Sequence, residues 1–271
     1  MATKPNKTPR PEPKLFFLKL SNLFSLGSMS FIGKFPRNKR TNIKKTELGL
    51  VIFSNCSLVQ LNRNYNLKYL YNPDYGYRTG INKTMTNHMN NIKKMLSRKS
   101  KLISGDHVLD IASNDATLLN FYNKNIVKVG IDPLINKYIK YYKKIDYKIS
   151  DFFSSSKILK KKIKNKFKII TALSVFYDAK DPNQFLKDVN KLLREDGIFL
   201  LEHADLLSIL KLKMFDTICH EHLHYYSTKV IIDIVLKHNL RVFDLKRNNI
   251  NGGSTQYFIC KKNSKYIMIN Y

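Results

Sequence analysis

The sequence predicts an α/β protein whose central sheet is mainly parallel. Three observations carry that prediction. Short, continuous apolar runs alternate with amphipathic stretches between residues 107 and 201; the runs end in acidic or small polar residues; and the first of them opens into a turn of small side chains. Continuous apolar runs suit strands buried on both faces, and a β-α-β-α-β alternation is the signature of a parallel sheet covered by helices.

The elements follow in order. Residues 1–14 are rich in Pro and Lys and read as a disordered tail. Residues 15–78 read as a small module of short strands and loops, with LFSLGSMSFIGKF and then LGLVIFSNCSLVQL in rough alternation. Residues 82–96 read as a helix, because Met85, His88, Met89, Ile92, Met95 and Leu96 recur at helical spacing. Strands are expected at 107–111, 126–131 and 147–150, with helices at 115–123 and 134–142 between them. FKIITAL (167–173) is a further buried strand. Pro182 suits the first turn of a helix with Phe185, Val189, Leu192 and Leu193 on one face; Gly197 is expected to end it before a strand at 198–201.

Composition bounds the rest. At 271 residues, 43% of them hydrophobic, the chain has room for one full α/β domain and a smaller appendage. No apolar run approaches the roughly eighteen residues of a membrane span, and the stretch 15–20 is short and broken by Lys19, so neither a membrane partner nor a signal peptide is expected. Three widely spaced cysteines, Cys56, Cys219 and Cys260, point to a reducing, cytoplasmic setting and not to a disulfide framework. The net charge of +28 has two readings: a polyanionic partner, or the Lys- and Asn-rich usage of A/T-rich codons. The basic run KILKKKIKNKFK (157–168) is read as a solvated face, with anion contact as the alternative; the oligomeric state is left open.

The segment HVLDIASNDATLL (107–119) is the most informative. Asp110 lies near the end of its strand, and Ala112, Ser113, Asn114 and Asp115 are small enough for the backbone to fold closely around a nucleoside at a helix N-terminus. Asp132 ends the next strand twenty positions beyond Ala112, where a mononucleotide-binding βαβ unit places a carboxylate for ribose hydroxyls. The turn lacks the glycines of a dinucleotide fingerprint, and its acidic first strand suits S-adenosylmethionine better. Asp110, Asp132, Asp151, Ser174 and the pair Glu202-His203 all fall at strand carboxyl ends, where sites in such sheets assemble.

Several segments carry a specific resemblance: CSLVQL (56–61), YNPDYGYRTGINKTMTNHM (71–89), VLDIASNDATLL (108–119), GIDP (130–133), DFFS (151–154), VFYDAKDPNQFLKDVNKLLREDGIFLLEH (175–203), DTICHEHLHYYS (216–227) and NGGS (251–254). Over residues 48–260 the chain resembles S-adenosylmethionine-dependent C-methyltransferases that act on C3 of NDP-4-keto-6-deoxy sugars. The resemblance implies a Rossmann-like class I methyltransferase sheet over 79–263, a degenerate zinc-ribbon-like module over 15–78, and a tail at 264–271 where the family's C-terminal domain begins. Two C-x-x-C pairs hold zinc in the family; here Cys56 alone remains, with Phe53 in its partner's place, so no zinc is expected. Ala116 replaces a family glycine, and its methyl is expected to crowd the turn.

The resemblance also assigns roles. His222 is the base that removes the C3 proton, Glu221 orients it or binds sugar hydroxyls, and Tyr75 and Tyr77 offer phenols to the oxyanion. Arg78 pairs with the diphosphate, while His220 and Asn251 approach the sugar nucleotide. Asp110, Ala112, Ser113, Asn114, Asp132, Asp151, Phe152 and Ser174 surround the cofactor, with Asp151 and Phe152 bordering adenine. Plainer readings stay open. His220, His222 and His224 share one face if extended and could hold a metal or simply pack; Phe152-Phe153 could be core; Asn251 could belong to an ordinary turn. The function has three alternatives: a nucleic-acid methyltransferase, a methyltransferase on another small molecule, and a non-catalytic remnant.

Overall fold

The computed structural model describes residues 20–32, 38, 42–72, 74–163 and 165–269. The expected tail at 1–14 therefore lies outside the described residues. In the N-terminal segment, strands β1 (Leu20–Ser30), β2 (Lys45–Phe53) and β3 (Val59–Leu61) precede a single helical turn, α1 (Leu67–Leu70). Helix α2 (Lys83–Lys99) follows, capped by the Asn82 side chain, which accepts from the Met85 N–H. It buries Met89, Ile92 and Leu96, the stripe expected from their spacing.

The main sheet then forms from β4 (His107–Ile111), β5 (Val127–Ile131), β6 (Tyr147–Ile149), β7 (Phe167–Leu173) and β8 (Leu193–Ala204), interleaved with α3 (Thr117–Asn120), α4 (Ile135–Tyr138), α5 (Ser155–Leu159) and α6 (Pro182–Leu192). Beyond β8 come α7 (Leu206–Lys211), β9 (His224–Tyr225), α8 (Thr228–Leu236), β10 (Leu240–Asn248) and β11 (Ser254–Lys261). The strand order is β10-β11-β8-β7-β4-β5-β6, parallel from β8 to β6 and antiparallel at β11 and β10. Alternate residues of each strand feed two cores. Leu109, Ile111, Ile170 and Leu201 pack on the α5, α6 and α8 side, whereas Val108, Ile169, Ile198 and Leu200 pack toward α2 and α3.

Three expected elements differ in extent. The helices after β4 and β5 amount to one α-helical turn each, the second prolonged by a 3-10 turn over Ile139–Tyr141. Helix α6 ends at Leu192, where Leu193 turns extended, and Gly197 lies inside β8 instead of ending the helix. Gly197 is there for space: a Cβ would stand 2.9 Å from the Phe167 carbonyl oxygen and 3.1 Å from that of Arg194.

The N-terminal strands form a second sheet, ordered β1-β2-β3-β9, whose last strand comes from residues 224–225. Its core unites Leu48, Leu50, Val59, Leu61 and Tyr65 with Ile209, Leu223 and Tyr225. Phe53 is buried in the main core, with Cys56 packed against it. Among the described residues, no group of three or more His, Cys, Asp or Glu side chains is placed to hold a metal ion, and no helix is long and apolar enough to cross a membrane.

Candidate active site

A cavity of about 680 Å³ opens at the carboxyl ends of β4, β5, β6, β7 and β8. It gathers Tyr75, Tyr77, Ala112, Asn114, Asp132, Asp151, Phe152, Ser174, Glu221, His222 and Asn251, residues separated by up to 176 positions in sequence (251 − 75). The turn after β4 is tightly wound. Ala112, Asn114 and Ala116 all adopt left-handed backbone, with φ of 57°, 47° and 61°. For non-glycine residues this conformation is disfavoured by about 1–2 kcal/mol each. The Ala116 methyl is fully buried, packed in the α2–α3 core, so the expected crowding takes the form of an unfavourable backbone angle within a filled site.

Asp132 ends β5 and holds this turn. Its Oδ2 accepts from the Asn114 N–H at 3.0 Å, and its Oδ1 accepts from the Leu134 N–H at 2.6 Å. Burial pushes its carboxyl up to about 6 despite those two donors. Across the cavity, Asp151 pairs with Lys157 at 2.6 Å and accepts from the Phe152 N–H, and Phe152 meets the Tyr71 ring edge-on. Ser174 takes left-handed backbone at the end of β7, and its hydroxyl accepts from the Asn251 amide at 3.2 Å.

His222, Glu221 and Tyr75 line the same cavity. His222 donates from Nδ1 to the Thr217 carbonyl at 2.8 Å, which leaves Nε2 as the ring nitrogen with a free lone pair. Its ring packs on Tyr177 at a centroid distance of 4.4 Å. The Tyr75 hydroxyl donates to Glu221 at 3.0 Å; burial, with the Glu221 charge beside it, holds that phenol well above its ordinary range and so keeps it protonated. Cys219 lies nearby but outside the cavity, and burial pushes its thiol up to about 11, away from thiolate chemistry.

Four residues singled out from the sequence lie elsewhere. Asp110 is buried between β4 and β7, where it accepts from the Thr171 hydroxyl at 2.6 Å; burial lifts it to about 7. Ser113 is hydrogen-bonded to the Tyr142 hydroxyl at 2.7 Å, behind the turn. The Arg78 guanidinium is 2.9 Å from Asp115 and stacks 4.6 Å over the Tyr141 ring, so it braces the turn and lies outside the cavity lining. His220 stacks on Phe31 and meets Tyr65 edge-on in the N-terminal sheet. The segment before His224 is not a strand, and the three histidines do not converge: His220 packs in the N-terminal sheet, whereas His222 and His224 line the cavity, His224 hydrogen-bonded to the Tyr177 carbonyl.

The cavity also includes Glu202, which the sequence places at a strand end without a role, and residues it does not single out for the site. Glu202, near the end of β8, is held by His88 at 2.7 Å and by the amides of Asn248 and Gln256. Tyr71 donates to Asp178 at 2.9 Å, and both line the cavity with Tyr177. Asp178 directly follows Val175-Phe176-Tyr177 just past a strand end, and a carboxylate in so apolar a setting is a legible signal.

Comparisons with known proteins bear on the family and the fold. The C-methyltransferase NovU of Streptomyces niveus is 26% identical over 220 residues, covering 78% of this chain and 50% of the relative. The chain thus spans about half the length of that curated relative. The PH0226 protein of Pyrococcus horikoshii OT3 superposes with a TM-score of 0.53 at 15% identity, over 73% of this chain and 100% of that one. Magnesium protoporphyrin IX methyltransferase of Synechocystis PCC 6803, solved with bound SAH, gives 0.50 at 11% identity, over 68% and 89%. Identities this low show the fold alone. A family described as a methyltransferase domain matches residues 81–245, and the chain belongs to that family, with the Rossmann-like class I fold of S-adenosylmethionine-dependent methyltransferases.

Proposed function

We propose that this chain methylates C3 of an NDP-4-keto-6-deoxy sugar, with S-adenosylmethionine as methyl donor. The observation that carries the reading is His222: an imidazole with its Nε2 lone pair free, in the same cavity as Asp132 and the Tyr75–Glu221 pair. Similarity to NovU, a C-methyltransferase, supports the reaction class. The residues at the strand ends suit the donor. Asp132 retains lone pairs for ribose hydroxyls beyond the two N–H groups it already accepts. Ala112 presents only a methyl where the backbone must approach a nucleoside, and Phe152 offers a ring to the adenine.

Bound S-adenosylmethionine supplies an electrophilic methyl on a positively charged sulfur. The protein supplies the nucleophile. His222 Nε2 takes the C3 proton, the C–H electron pair forms the C3=C4 double bond, and charge moves to the C4 oxygen. A positioned base of this kind contributes about 10²–10⁴ in rate. Tyr77 is a phenol within the same cavity and able to donate to a sugar oxygen, while the Tyr75 hydroxyl, its proton engaged by Glu221, holds that carboxylate at the cavity wall. Asn251, whose amide donates to the Ser174 hydroxyl, lines the same cavity.

The test is turnover of His222→Ala with S-adenosylmethionine and an NDP-4-keto-6-deoxy sugar, read by mass spectrometry of the sugar. Turnover is expected to fall by at least about 10² while affinity for S-adenosylmethionine stays within about twofold, a change of only ~0.4 kcal/mol. Turnover equal to the unmodified chain removes His222 from the chemistry; no C-methylated sugar from the unmodified chain removes the substrate class.

A further inference from the structure

The base described above has a buried companion whose hydrogen bonding is incomplete. Asp178 follows β7 in a 3-10 turn (Phe176–Asp178), is 5% exposed, and lines the cavity. Its Oδ2 accepts from the Tyr71 hydroxyl at 2.9 Å. Its Oδ1 is buried and has no hydrogen-bond partner among the described residues. A buried carboxyl oxygen left unpaired costs about 1–3 kcal/mol, so the arrangement calls for a partner that is not part of the chain.

We propose that Asp178 is a catalytic residue whose Oδ1–H donates a hydrogen bond to the C4 oxygen of the keto sugar, stabilising the enolate that His222 generates. The assignment rests on the keto-sugar reading of the cavity given above. The division of labour follows from the two oxygens. Oδ2 is fixed as an acceptor by Tyr71, so the proton of a neutral carboxyl resides on Oδ1, the oxygen without a partner.

Burial holds this carboxyl well above the ordinary range; the nearby His222 opposes that shift, and the Glu221 charge reinforces it. A neutral carboxyl in an apolar site is a stronger donor than water and needs no reorganisation as charge develops. Proton and electron counts close without a further reactant. The C3 proton moves to His222 Nε2, the C3–H pair becomes the C3=C4 bond, and the C4 oxygen carries the charge against the Asp178 hydrogen. The C3 carbon then bonds the donor methyl, the methyl–sulfur bond breaks with its electrons on sulfur, and the C4 carbonyl reforms.

The groups facing Asp178 are Tyr71 and Tyr75 from the N-terminal segment, Tyr177 beside it, Cys219, Glu221 and His222 from the loop before β9, and Tyr225 on β9. Burial holds the phenols and the Cys219 thiol protonated, so Glu221 and His222 are the charged neighbours of Asp178.

The experiment follows exchange of the sugar C3 proton with deuterated solvent by NMR, with S-adenosylhomocysteine in place of the methyl donor. It is run on the full chain, on Asp178→Leu and on Asp178→Asn, alongside kcat and KM for methyl transfer. Asp178→Leu is expected to slow both exchange and kcat by about 10²–10³, with KM within about threefold. Asp178→Asn, which keeps an N–H donor, is expected to recover to within about tenfold of the unmodified chain and to lose the alkaline fall in kcat/KM that ionisation of Asp178 imposes. Exchange in Asp178→Leu equal to the unmodified chain overturns the proposal. So does an Asp178→Asn variant that binds S-adenosylhomocysteine normally yet is as slow as Asp178→Leu. Should Asp178→Leu fail to fold, an unchanged alkaline limb in Asp178→Asn overturns it. Absence of exchange in the unmodified chain, with S-adenosylhomocysteine bound, overturns the keto-sugar reading and this assignment with it.

Discussion

Replacing Asp115 by Asn tests whether Arg78 is a clamp. The Asp115 side chain is 1% exposed and accepts from Arg78 Nη1 at 2.9 Å, the Gly80 N–H at 3.0 Å, the Thr117 N–H at 3.2 Å and the Thr117 hydroxyl. Losing the charge strands the Arg78 guanidinium, whose side chain is 23% exposed. Breaking a buried ion pair costs about 3–5 kcal/mol; partial access of Arg78 to water returns some of that, giving about 2–3 kcal/mol. Folding stabilities of about 5–15 kcal/mol leave the variant folded. The assay is urea unfolding of Asp115→Asn, Arg78→Met and the double variant. A coupling energy of about 1–2 kcal/mol is expected for a pair in contact. Because Asn114 accepts from the Thr79 N–H at 2.9 Å and donates to Asp132, loosening this clamp is expected to weaken S-adenosylmethionine about tenfold, ~1.4 kcal/mol. A coupling energy under about 0.3 kcal/mol, with Arg78→Met raising only the KM for the sugar nucleotide, refutes the clamp and gives Arg78 to the diphosphate.

Two further predictions concern pH. Burial raises Asp110 to about 7 and the unfolded chain holds it near the ordinary 3.8, so the native state keeps a proton that the unfolded state releases. Its effect is absent below about pH 4 and grows into a loss of about 3–4 kcal/mol as pH rises to 7, so Asp110→Asn should flatten the fall of stability with pH in chemical unfolding; a variant with the unmodified slope contradicts this. Asp178 acts with the same sign, so the slope should shrink without vanishing. Asp132, raised to about 6, should bind S-adenosylmethionine more tightly as it ionises. Calorimetry is expected to show affinity rising from pH 5 to 7 in the unmodified chain and a flat, weaker profile in Asp132→Ala; parallel profiles would remove Asp132 from the ribose.

Where apolar pattern alone decides structure, the sequence was legible. HVLDI and FKIITAL are buried on both faces and form strands over the expected residues, and the Met89–Ile92–Leu96 stripe became the buried face of α2. Residues 240–248 and 254–261 were not assigned as strands, although they add the two antiparallel members of the main sheet. Their partners lie on β8 and on each other, and local pattern carries no record of such pairing. The site followed the same division. The placement of Asp132, Ala112 and His222 at the cavity was legible because position after a strand, or a dense motif, marks them. Arg78 and His220 were misplaced because a charged or aromatic side chain has several partners in reach, and only packing selects Asp115 for one and Phe31 for the other.

The pairing of β3 with β9 bears on how the protein is made. Val59 and Gln60 pair with Tyr225 and His224, and the Leu61 N–H donates to the Leu223 carbonyl at 3.0 Å. Leu61 and Tyr225 are 164 residues apart (225 − 61), which a ribosome takes roughly ten to thirty seconds to traverse at about 5–20 residues per second. Throughout that interval the open edge of β3 waits on the nascent chain, exposed to other edges. The partner that closes it lies two residues beyond His222, so the event that seals the early hairpin also anchors the segment that carries His222.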